Sequence, residues 1–184
     1  MRIAAAVAAL FPLVLAAAQP IVVDFESSIP ILPDDKANRL EKWEEQGVSF
    51  TLARQPKTTK AKGLLMFYSH LSTGHKGIVC AMATEPIPVR ATFPKPVTSV
   101  TLTMWGSTAT PALVEAFDAE GKVVDRARLD SVPDRKAPGD PVPTFTMTVS
   151  GNRIAYVEFS GPREGEFLVA DELRFTPAEE SGPQ

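Results

Sequence analysis

Apolar residues recur at every second position through most of the chain, and that period of two predicts β-strands. IVVDFE (21–26), GVSFTL (47–52), LLMFYS (64–69), GIVCAM (77–82), VRATF (89–93) and VTSVTLTMW (97–105) read this way. ALVEAF (112–117), KVVDRARL (122–129), TFTMTV (144–149), RIAYVEF (153–159) and FLVADELRF (167–175) follow, which makes about eleven strands rich in β-branched and aromatic residues. Turn chemistry separates them. DAEG (118–121) puts Gly121 where a hairpin needs positive φ, and SGNR (150–153) offers Gly151 and Asn152 for the same purpose, so both predict antiparallel hairpins. The prolines of EPIP, FPKP and PDRKAPGDPVP mark connections, because a residue without an N–H interrupts a ladder. One stretch departs from the period. DDKANRLEKWEEQG has Asp34 or Asp35 as N-cap, Leu40 and Trp43 three apart and Gly47 as the C′ residue, which predicts a short helix over 35–45. Many strands, tight turns and one helix predict an all-β fold, an antiparallel β-sandwich of jelly-roll type with ten or eleven strands.

The first eighteen residues, MRIAAAVAALFPLVLAAA, lie outside this pattern. A basic Arg2, an Ala/Val/Leu run and small residues at 16–18 are the parts of a secretory signal peptide, with cleavage expected before Gln19. The run is shorter than the ~20 residues that span a bilayer, so no membrane span is expected after cleavage and the chain is expected to be secreted or periplasmic. Residues 19–177 then form one domain, large enough to bury roughly 70% of its surface, and AEESGPQ (178–184) is expected to be a disordered tail. Of 19 basic residues 18 remain without Arg2, against 22 acidic ones. That balance is too even to point to nucleic acid. Cys80 stands alone in GIVCAMA, apolar on both sides, so no intramolecular disulfide is available and packing must hold the fold.

Catalytic patterns are weak. His70 and His75, in SHLSTGHKG, match no zinc-protease spacing, and no G-x-S-x-G elbow accompanies Ser69 or Ser72. They read as turn residues of a polar loop. Glu115 and Glu158 could be cast as a glycosidase pair, but both alternate with apolar neighbours and are expected to face solvent. Nothing in the chain demands an enzyme, and a hydrolase centred on the two histidines is the least favoured of three readings.

Asp171 is the polar residue that breaks the pattern. In FLVADELRF it shares a period-two face with Phe167, Val169, Leu173 and Phe175, where an unsatisfied carboxylate costs several kcal/mol. Two solutions are open: a bulge, or a carboxylate capping a neighbouring loop, on one side, and a cation on the other. First and last strands of a sandwich often lie side by side, which would bring Asp24 or Glu26 of VVDFES towards Asp171, and Ca²⁺ takes such oxygens.

The acidic pair Asp24-Phe25-Glu26 near one end and Ala170-Asp171-Glu172-Leu173-Arg174-Phe175 near the other resemble the first and closing strands of carbohydrate-binding modules with the galactose-binding-like jelly roll. The resemblance implies a non-catalytic, exported binding module with a structural calcium ion held by Asp24, Glu26 and Asp171. It also implies a glycan partner. Trp105, which shares a face with Ser99, Thr101 and Thr103 opposite Val100, Leu102 and Met104, is the candidate stacking platform for a sugar if its ring is exposed; folding into the core is the other outcome. An envelope domain that binds another protein and no sugar is the alternative function.

Overall fold

The computed structural model describes residues 18–27, 39–57, 65–80, 85, 87–106, 111–160 and 168–179. Residues 1–17 of the expected signal peptide, the proposed N-cap at Asp34 or Asp35, Phe167 and the tail beyond Glu179 lie outside the described residues. The chain is all-β. Its strands are β1 (Ile21–Val23), β2 (Arg39–Leu40), β3 (Trp43–Glu45), β4 (Val48–Leu52), β5 (Leu65–Ser69), β6 (Lys76–Cys80), β7 (Val89–Gly106), β8 (Ala112–Phe117), β9 (Val123–Leu129), β10 (Phe145–Ser160) and β11 (Leu168–Pro177). Every pairing among them is antiparallel. The sequence alternation reappears as burial: Ala112, Val114 and Ala116 of β8 are buried, while Leu113, Glu115 and Phe117 are not.

Along the sheet the order is β2-β5-β6-β11-β7-β10-β8-β9, with β4 also on β7, β3 on β4 and β1 on β11. The two long strands organise it. β7 and β10 pair from Val89↔Phe159 to Met104↔Phe145. At the first end β7 receives β4 and β10 receives β8. At the other end β7 receives β11 instead, from Val97 onward. Two half-sheets therefore share one strand pair, and both contribute to the same core: Phe50, Ala91, Val114 and Phe159 from one, Phe67, Ile78, Leu102 and Leu173 from the other.

This sharing corrects several expectations. VRATF and VTSVTLTMW are one strand, with exposed Pro94 and Pro96 at the place where the neighbour changes from β4 to β11 and a missing N–H interrupts no ladder. SGNR is not a hairpin. Register shifts fall between Ser150 and Tyr156, where Arg153 takes a φ of 66°, so the strand bends and continues. Nor are residues 39–45 helical: they form β2 and β3, and the rest of the expected helix lies outside the described residues. Glu45 pairs with Val48 across a two-residue turn whose members, Gln46 and Gly47, have φ of 50° and 76°. Two positive φ values are what a type I′ hairpin requires, and Gln-Gly meets the need less obviously than Asn-Gly. DAEG does close the β8–β9 hairpin: Asp118 Oδ1 accepts from the N–H of Glu120 and of Lys122 (3.1 and 2.8 Å), with Gly121 at φ 80°. No helix among the described residues is long and apolar enough to cross a membrane.

One glycine is fixed by space alone. A Cβ on Gly77 of β6 would lie 2.5 Å from Val169 Cγ1 and 2.6 Å from the Ala170 carbonyl oxygen, and backbone cannot swing aside. Gly77→Ala is expected to destabilise the fold by about 2–4 kcal/mol in urea unfolding. Gly74→Ala, where nothing lies within 4 Å and only the φ of 77° is strained, is expected to cost about 1–2 kcal/mol.

Candidate functional site

Asp171 sits in a β-bulge. Ala170 pairs with Met104 and Glu172 with Thr103, so Asp171 is the extra residue of β11. The insertion shifts the phase of the alternation: Leu168 and Ala170 belong to the main core before it and Leu173 and Phe175 after it, whereas Val169 packs with Met66, Val79 and Trp105 in a small outer cluster. The period-two face read through Asp171 is therefore two different faces.

The bulge lies where two strands meet end to end. β1 pairs with Leu173, Arg174 and Phe175, β6 pairs with Ala170, and both lie along the same edge of β11. The chain leaves β1 through Phe25, whose φ of 60° is unusual for an aromatic residue and costs roughly 1–3 kcal/mol. Its buried ring, edge-on to Phe50 at 5.2 Å, holds it there. That turn delivers Glu26 to the start of β6. Glu26 Oε1 accepts from the Lys76 N–H (2.8 Å), and the Lys76 ammonium donates to the Glu26 carbonyl oxygen (3.2 Å).

The Asp171 carboxyl is held above its ordinary pKa, and the Glu26 charge is one of the smaller causes. Burial is the main cause of the rise, and His70 and His75 act in the opposite sense. Asp24 Oδ1 accepts from the Glu26 N–H (3.1 Å), and among the described residues no three His, Cys, Asp or Glu side chains converge as metal ligands.

His70 lies in the loop between β5 and β6, where the sequence places it. It is 2% exposed and acts as the hub of the β5–β6 loop. Its Nδ1 accepts from the N–H of Ser72 and of Thr73 (3.2 and 3.1 Å), its own N–H donates to the His75 carbonyl (2.7 Å), and its carbonyl accepts from the Gly74 N–H (2.8 Å). Its ring stands edge-on to Trp105, centroids 5.0 Å apart.

Trp105 is 2% exposed, so it offers no open ring to a sugar. Its face was read correctly, opposite Leu102 and Met104, but that face is covered. Tyr68 and Val142 pack on the outer cluster, and the Val142 N–H donates to Ser72 Oγ at 2.6 Å, which ties the polar segment before β10 to the β5–β6 loop.

A partly exposed aromatic pair lies on the other half-sheet. Tyr156 of β10 stands between Phe117 of β8, stacked at 4.7 Å and 9°, and the Arg90 guanidinium, 4.3 Å from its ring centre. Cross-strand register sets two rows on this outward face. One runs Ser49, Thr92, Tyr156, Phe117, and the other Thr51, Arg90, Glu158, Glu115, Arg126. Glu158 and Glu115 face each other directly, a repulsive arrangement. Arg90 and Arg126 offset it from either side, each at 2.5 Å from an Oε1. The alternation of RIAYVEF puts Tyr156 on the same face as Glu158, a signal that would have found it.

No protein-family model matches the sequence, and no curated protein matches it. Among solved structures, the K1 cleaved adhesin domain of Lys-gingipain from Porphyromonas gingivalis W83 aligns with a TM-score of 0.52 at 11% identity, over 88% of this chain and 99% of that one. The chain shares its fold with that domain. The carbohydrate-binding module CsCBM6-3 from Clostridium stercorarium, solved in complex with cellobiose, aligns at a TM-score of 0.37 and 14% identity over 70% of this chain and 93% of that one. The family 29 module CBM29-2 aligns at 0.35 and 10% over 74% and 97%.

A carboxyl raised on folding favours the folded state below its ordinary pKa, and that preference is lost as pH rises through the higher folded value. Ionised Asp171 therefore works against the fold at neutral pH. Asp171→Asn is expected to melt at a higher temperature than the parent at pH 7, with the gap closing as pH falls towards about 4. Melting curves across that range check it, and an unchanged gap would contradict the burial argument.

Proposed function

We propose that this chain is a non-catalytic carbohydrate-binding module built as an antiparallel sandwich of jelly-roll type, and that its ligand lies on the face centred on Tyr156. The observation that carries this reading is the pair of side-chain rows on the half-sheet of β4, β7, β10, β8 and β9. A pyranose presents apolar C–H faces and a ring of hydroxyls. Stacked rings give it a rigid apolar wall, and Arg–carboxylate pairs give it fixed donors and acceptors. The ion pairs and the ring stack hold their rotamers before any ligand arrives, which lowers the ordering cost of binding. Glu115 and Glu158 serve here as hydrogen-bonding groups. Fold likeness to an adhesin domain and to sugar-binding modules agrees with this reading without carrying it.

A glycan array followed by calorimetry on the best ligand tests it. Tyr156→Ala and Glu158→Gln are each expected to weaken binding about tenfold or more while the protein stays folded by circular dichroism. If the array finds no ligand, or both variants keep full affinity for the one it finds, the glycan reading fails. A protein captured by cross-linking through the same face would then favour the envelope-interaction alternative.

A further inference from the structure

The two nitrogens of His70 have different tasks. Nδ1 accepts from two backbone N–H groups, those of Ser72 and Thr73, so it carries no proton. In the neutral ring the proton is therefore on Nε2. That N–H is buried and has no acceptor among the described residues, and Asp171 Oδ1 is likewise buried with no donor. Buried polar atoms are almost always satisfied.

The two atoms belong to one place in the fold. Asp171 bulges from β11 where β1 ends and β6 begins, and His70 opens the loop that leads into β6. The His70 ring stands edge-on to Trp105, which pairs with Val169 two residues before Asp171, and His70 follows Ser69, the partner of Lys76 next to the close Gly77–Ala170 contact. The chemistry of the pair selects its guest. A cation would meet the Nε2–H, and an imidazole that bound metal through Nε2 would need its proton on Nδ1, against two N–H donors. An anion would meet the carboxylate of Asp171 and, beside it, Glu26. A hydroxyl group can accept from one side and donate to the other.

We propose that His70 and Asp171 hold a single hydroxyl group between them, its oxygen accepting from His70 Nε2–H and its O–H donating to Asp171 Oδ1. The group replaces the calcium ion expected from the sequence as the element that satisfies the Asp171 carboxyl. It also joins the β5–β6 loop to the bulge, and through Ser72 to the segment carrying Val142. The guest is either a water molecule or a hydroxyl of a bound sugar, and the site stands whether or not the Tyr156 face binds glycans.

High-resolution crystal structures of the chain at neutral pH, grown with EDTA, with calcium and with glucose, test the proposal together with nitrogen NMR of the imidazole. The expected result is an oxygen about 2.7–3.2 Å from both atoms, present with EDTA and unchanged by calcium, and a proton on Nε2. If that oxygen stays a lone water in the glucose crystals, the guest is solvent; if a glucose hydroxyl takes its position, the guest is the sugar. His70→Asn keeps an acceptor for the Ser72 and Thr73 N–H groups while removing the distant donor. It is expected to lose the bound oxygen and to melt about 2–4 °C lower, whereas Asp171→Asn, which keeps an acceptor, retains it. A direct Nε2–Oδ1 hydrogen bond, a proton on Nδ1, or a cation on Asp171 with melting that responds to EDTA would overturn the proposal. The wild-type spectra and crystals decide it even if a variant fails to fold.

Discussion

β7 and β10 stay paired from Val89↔Phe159 to Met104↔Phe145, and each end of that pair carries a different set of neighbours. Neither half-sheet could bury its inner face alone. Because the shared strands run through both, Phe50 and Phe159 meet the same core as Phe67 and Leu102, and no disulfide is needed to hold the halves together. Bends are the condition for this arrangement. They are supplied by Pro94 and Pro96 in one strand and by Arg153 with its positive φ in the other, at points where the hydrogen-bond register shifts or the neighbour changes.

The bulge at Asp171 solves a second problem of the same kind. β11 gives Leu168 and Ala170 to the main core at one end and Leu173 and Phe175 at the other, positions of opposite parity that a regular strand cannot place on one face. One inserted residue changes this. The inserted residue projects at the junction of β1 and β6, where an apolar side chain would lack a complete apolar surround. A carboxylate there has neighbours that can act on it, namely His70, His75 and Glu26, although burial still raises its pKa. Sequence position, fold requirement and electrostatics at Asp171 are thus consequences of a single insertion in the ladder.

Much of this was legible in the chain. Strand segments, the DAEG turn and the pairing of the terminal strands follow from period, glycine placement and the acids near both ends. What could not be read depends on register. Leu40 and Trp43 are three apart by coincidence of two short strands, and only the pairing of Glu45 with Val48 reveals the hairpin. SGNR has the residues of a turn, but whether a chain reverses or merely bends there depends on whether a partner strand continues alongside, as β7 does. Asp171 admitted both a bulge and a cation, because alternation specifies a face only while the ladder is unbroken. The burial of His70 could not be read from its polar loop, because the polar groups there are backbone N–H donors turned inward onto its ring.

Trp105 and Tyr156 show the same dependence on what lies above a strand. Each occupies the face of its strand opposite the main core, so alternation assigns both the same environment. Around Trp105 that face is overlaid by Tyr68, His70 and Val142, and the ring becomes part of a second apolar layer. Around Tyr156 the ring neighbours are Phe117 and Arg90, and beside them runs the partly exposed row of Glu158, Glu115 and Arg126, with no second apolar layer over it among the described residues. A half-sheet buried on both faces is suited to rigidity, because any ligand would have to displace packed side chains. A half-sheet with one face left open, carrying ordered rings and ion pairs, can receive a ligand at little cost in reorganisation. The division of the two halves into a packed support and an open surface is what directs the search for a ligand to Tyr156.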